Sequence, residues 1–256
     1  METIMHKHVK IRTFFSKALS FWLPSPWRKE FRDFIFWASF HDFLKFKKQR
    51  FVIVSLGSNC LVRVLTTAAK LKPRKFYGEK SCPFDLCSNP DFNNVAFLIE
   101  NDFHDFFDLL PRDESTFPHD CKLSKKQFKN RYLKRFQNFR EVLKSDNKIY
   151  FIYSDYVNLP DRDDVLHLFN VLKKKRSGKP FDFILLTNEY IEGLDGIIQL
   201  PDDFRITDNN WVVYFINKYG KFDNYYTRYC ERMGKRLSDT IMEREGSQPK
   251  FPPERL

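Results

Sequence analysis

The chain lacks several of the patterns that announce common functions. Glycine is scarce, eight in 256 residues, about half the usual share. Neither a G-x-G-x-x-G nor a Walker-type loop occurs, so nucleotide binding through those loops is not expected. Cysteine is odd in number and scattered: Cys60, Cys82, Cys87, Cys121 and Cys230 make a poor disulfide framework. Cys82 and Cys87 are close enough to be two zinc ligands, but no second pair of Cys or His follows at finger-like spacing, so no metal and no other cofactor is expected. Long apolar runs are missing too. Near the N-terminus the longest uncharged stretches run from Ala18 to Trp27 and from Phe34 to His41, short of the ~20 residues a spanning helix needs. No secretory signal pattern is present, and the reading is a cytoplasmic protein.

What is present is a globular composition with an uneven charge. Hydrophobic residues make up 42% and charged residues 30%, which excludes a disordered or fibrous chain. The net charge is +11. Residues 1–50 hold eleven Lys/Arg against four Asp/Glu, so +7 of the +11 sits in the first fifth of the chain and +4 in the rest. Basic residues alternate there with aromatics at helical spacing, and Pro24 and Pro26 divide the segment into two expected helices, about 6–22 and 27–47. Cations that meet anionic headgroups beside rings that enter the acyl boundary describe an interfacial helix. Lys7, Lys10, Arg12, Lys17, Phe21, Trp22, Trp27 and Arg28 are the candidate membrane-binding residues. The second helix has an alternative: its wide aromatic face fits equally well against the main domain. The expected partner is an anionic membrane surface. Nucleic acid is not expected, because no recognisable binding motif accompanies the basic charge.

From Phe51 the pattern changes. Phe51 to Leu56 is a β-branched apolar run of buried-strand length, Gly57-Ser58-Asn59 turns the chain, and Cys60 to about Lys70 has helical periodicity. A helix is expected over 94–110, a long basic one over 124–144, and then strand 148–153, helix 162–174, strand 181–186, strand 197–200 and a final helix near 223–237. Residues 211–215 either close the sheet or begin a helix. This rhythm predicts an α/β domain with a mostly parallel, doubly wound sheet flanked by helices over 51–240, preceded by the basic aromatic helical segment and followed by a flexible tail over 241–256.

The strand, tight turn and helix put Cys60 in or beside a first helical turn at the carboxyl end of a strand, where open α/β sheets collect ligands. The unpaired N–H groups of a helix start favour thiolate over thiol. With Gly57, Ser58 and Asn59 they could also hold an oxyanion or a phosphate. A buried structural cysteine is the competing reading. Asp85 sits in a proline-fixed turn, either as a helix cap or as a site carboxylate. His119, after Pro118 in a loop, is the first choice for a general base, with Asp120 beside it.

The spaced set Ser55-Leu56-Gly57-Ser58-Asn59-Cys60, Pro83-Phe84-Asp85, Asn101-Asp102-Phe103 and His119-Asp120 resembles a bacterial family catalogued as papain-like cysteine peptidases. The resemblance covers about 51–215. Leu86 stands where the family has Trp. The resemblance implies Cys60 as nucleophile, His119 as its base, and Asp85 or Asp120 as the orienting acid. It also implies a helical lobe against a β-barrel-like lobe, in conflict with the parallel rhythm. Leu23 to Arg32 looks like the basic leader of many bacterial surface-polysaccharide enzymes, which implies work at the inner face of the cell membrane. The expectation is therefore a cysteine-dependent hydrolase or transferase of envelope or surface-polysaccharide metabolism, peripheral at that face, with a glycan, peptide or sugar-nucleotide substrate. Two alternatives stay open: a glycosyltransferase-like enzyme in which Cys60 is structural, and a non-catalytic membrane-associated scaffold.

Overall fold

The structure, a computed structural model, describes residues 49–57, 60–72, 79–88, 91–155, 160–202 and 225–246. Two compact units divide the chain, Met1–Gln49 with Pro73–Glu79 and Arg50–Lys72 with Lys80–Leu256. Both expected N-terminal helices, every candidate membrane-binding residue, Ser58, Asn59 and residues 211–215 lie outside the described residues. The account below concerns the second unit.

Its elements are β1 (Phe51–Ser55), α1 (Leu61–Ala68), a 3-10 turn (Pro83–Leu86), α2 (Phe92–Glu100), α3 (Phe106–Leu109), α4 (Lys125–Lys144), β2 (Lys148–Ser154), α5 (Arg162–Arg176), β3 (Phe181–Thr187), β4 (Ile197–Pro201) and α6 (Tyr225–Arg244). The four strands are parallel and stand side by side in chain order, with Phe51 opposite Lys148, Ile149 opposite Phe181 and Phe183 opposite Ile197. This is the α/β arrangement that the alternation of strands and helices predicts. Helices cover both faces of the sheet, and strand order does not reverse among the described strands; the two-lobed papain architecture does not appear among these described elements.

Period-two alternation sorts the strand side chains onto two faces. Val54, Ile149, Phe151, Tyr153, Phe183 and Leu185 face a core shared with α2, α4 and α5. Phe51, Ile53, Tyr150, Ile152, Ile184 and Leu186 face a second core, shared with α1 and α6. Apolar residues line both sides, as a sheet covered twice requires. The helix expected over 94–110 is broken. Asp102 and Phe103 take left-handed φ values of 55° and 64°, and the turn drives Phe103 inward to stack on Phe136 at 4.8 Å. The last helix runs past the expected start of the tail to Arg244, with Ile241 buried and the Glu245 carboxylate accepting from Tyr150 Oη at 2.6 Å. Among the described residues no helix is long and apolar enough to cross a membrane.

Candidate functional site

β1 ends at Ser55 and the chain bends at Gly57, whose φ of 118° is one that a side chain would resist. Gly57 O accepts from Ser154 N at 3.2 Å, so the bend stays attached to the end of β2. From β1 the chain passes to α1 on one face of the sheet. From β2 it passes to α5 on the other. Neighbouring parallel strands with divergent exits leave a crevice between them at their carboxyl ends, the condition that makes such edges ligand sites. Here the divergence arises without any reversal of strand order.

Cys60 closes the β1 exit. It occupies the N-cap position of α1, makes no side-chain cap hydrogen bond, and is 8% exposed. No acid stands in the first turn of α1, and the field of a helix N-terminus favours a thiolate, while burial works in the other direction. Ser55 and Ser154 end the α1 side of β1 and β2 in buried hydroxyls. Ser55 Oγ has no hydrogen-bond partner among the described residues.

Asp85 comes to the same end of the sheet, because the 3-10 turn packs on both β1 and α1. Its two carboxylate oxygens are filled. Lys72 Nζ donates to Oδ1, Cys82 N donates to Oδ2 at 2.7 Å, and Arg63 Nη1 lies 3.4 Å from Oδ2. The carboxylate and Lys72 are 0% and 4% exposed, so the charges must balance each other in place. Asp85 thus caps its own turn and ties that turn to α1, three residues from Cys60.

Asp120 is committed in the same way. Arg131 donates to Oδ1, while Arg135 Nη1 and Tyr132 Oη donate to Oδ2 at 2.8 and 3.2 Å. His119, next in the chain, is exposed. All three Asp120 partners belong to α4, on the face of the sheet opposite α1. The loop carrying His119 does touch the Asp85 turn, since Ser88 N donates to Thr116 O at 2.8 Å. The motif segments therefore form a connected string, Cys60 to Arg63 to Asp85 to Ser88 to Thr116.

No family model, curated protein or solved structure matches the chain.

The other described cysteines sit in other surroundings. Cys82 and Cys87 are buried and Cys121 is half-buried. Burial pushes the Cys87 thiol up to about 12, against a smaller opposing pull from Arg135. Among the described residues no group of three or more His, Cys, Asp or Glu is arranged to hold a metal ion. Sequence reasoning missed Arg63, Lys72, Ser55 and Ser154. Arg63 had a readable signal, a cation inside the apolar run Leu61-Val62-Arg63-Val64-Leu65. Lys72 and Ser154 carried none, because burial at a sheet edge follows from what packs around them, while Ser55 stood in the motif that ends at Cys60 without a role of its own.

Proposed function

We propose that the chain is a cysteine-dependent hydrolase or transferase acting on an acyl or peptide-like bond, with Cys60 as nucleophile. The observation that carries this reading is the place of Cys60, at the start of α1 just past the carboxyl end of β1, next to a β2 whose following helix lies on the other face of the sheet. The Cys60 thiolate attacks the carbonyl carbon, and N–H groups of the first turn of α1 hold the developing oxyanion. His119 passes the thiol proton to the departing amine or alcohol. Water or an acceptor nucleophile then resolves the thioester, and the thiol is restored. Asp85 serves as a positioning residue, gripping α1 through Arg63 and the segment that follows it through Lys72. Residues 1–50 hold the enzyme on the anionic inner face of the cell membrane, near envelope or glycan substrates.

Thiol labelling tests the reading, because exposure and activation make opposite orderings. Among the described cysteines Cys121 is the more open thiol and would react before Cys60 if access alone decided. An activated Cys60 reacts with iodoacetamide before Cys121 at neutral pH, and its rate keeps a step near pH 6–7 that His119→Ala removes. Labelling in order of exposure, with no such step, sinks the proposal. Asp161 and Asp163 have the Asp-x-Asp spacing of a glycosyltransferase metal motif, but Asp161 is the N-cap of α5, accepting from Asp163 N at 2.7 Å.

A further inference from the structure

A concavity lies on the face of the sheet opposite α1. It is an open groove of about 660 Å³ between the left-handed turn after α2 and the stripe of α4 formed by Lys129, Leu133, Phe136 and Arg140. That volume is in the range of small-ligand sites, ~300–1,000 Å³. The stripe spans about 16 Å at the helical rise, so the groove is elongated.

The turn that makes the facing wall is held at a cost. Two consecutive residues other than glycine at positive φ are each strained by roughly 1–3 kcal/mol. Arg140 secures Asp102 through Nε to Oδ1 at 2.8 Å and Nη2 to the backbone oxygen at 3.1 Å. Phe103 is locked in the core by Phe136, and its N–H donates to Leu98 O at 2.7 Å. The shape is thus built in, while the polar side chains along it are left over. Asn101, His104, Asp105 and Lys129 have no side-chain hydrogen bond or ion pair among the described residues. Leu133, at 48% exposed, is among the most open large apolar side chains described.

Elimination narrows the ligand class. Asp102 and Asp105 offset Arg140 and Lys129, so the lining is neutral overall and repels phosphate as readily as it attracts it. An extended peptide would need an open backbone edge and a helix would need a broad apolar trough, whereas the walls here are a helix and a turn around a narrow apolar floor of Phe107 and Leu133. Unengaged donors and acceptors of both kinds along an apolar strip match a chain of rings with hydroxyls at the rim and C–H faces beneath. We propose that this groove binds a short neutral oligosaccharide, with Leu133 and Phe107 under the sugar faces and Asn101, His104, Asp105 and Lys129 on the hydroxyls. The proposal stands whether or not Cys60 is catalytic.

The test is an amide chemical-shift titration of the full chain with maltotriose, mannotriose, galactotriose and chitotriose, and with inorganic phosphate as the anionic comparator. At least one saccharide should shift the amides of residues 101–107 and 129–133 saturably. Leu133→Asp and Asp105→Ala should each weaken that saccharide at least about tenfold, the loss of one good contact, with the thermal midpoint unchanged. The proposal is overturned if no saccharide moves these amides, if both variants bind as well as the parent chain, or if phosphate alone occupies the groove.

Discussion

Asp120 and His119 are adjacent in the chain and opposite in fate. The turn points the imidazole to solvent and the carboxylate into the core, where Arg131, Tyr132 and Arg135 surround it. Proximity in sequence suggested a base with its orienting acid, but a neighbour on a tight turn often faces the other way. Removing the carboxylate leaves Arg135, 7% exposed, with its charge uncompensated. Asp120→Ala should therefore cost about 3–5 kcal/mol, read as a fall in the urea midpoint. Asp85→Ala should cost a similar amount by stranding Lys72. If instead either variant keeps its stability and loses only activity, the aspartate concerned is a site residue and not a clamp.

At the scale of elements, α4 obeys one rule of helix starts and breaks another. Ser124 and Gln127 form a reciprocal capping box, with bonds of 3.3 and 3.0 Å. The first turn, however, carries Lys125 and Lys126 and no acid, which sets cations against the positive end of the helix dipole. Ser124→Ala should lower stability by about 1 kcal/mol. Lys125→Glu with Lys126→Glu should raise it by a few tenths to about 1 kcal/mol each, seen as a higher thermal midpoint that salt diminishes. The extent of α4, from Ser124 to Lys144, was readable as text. The break between α2 and α3 was not, because nothing local forbids a helix through Asp102 and Phe103. The break comes from the attraction of Phe103 to Phe136, Phe139 and Phe106, contacts across more than thirty residues for the first two.

Across the whole molecule, burial of ionisable groups makes the fold sensitive to alkali. Burial raises the Cys87 thiol from 9.0 to about 12. It also pushes the phenols of Tyr132, Tyr150 and Tyr153 well above 10.0. Each group is neutral when protonated, so its contribution is complete below the unfolded value, near 9 for the thiol and 10 for the phenols, and is lost as pH climbs toward the folded value. The urea midpoint should be flat up to about pH 9 and fall steadily beyond it, and Cys87→Ala should blunt the first part of that fall. A midpoint that stays level through pH 11 would mean these groups ionise without unfolding the core.

The fold class, the strand positions, the turn at Gly57 and the start of α1 at Cys60 could all be read from the chain alone, since each follows from local periodicity and from backbone conformations that few residues permit. Strand order, the opposite faces taken by α1 and α5, the clamps on Asp85 and Asp120 and the groove along α4 were decided by tertiary structure. These depend on which distant surfaces meet and on which charges lose their water when they do, and no short stretch of sequence holds that information.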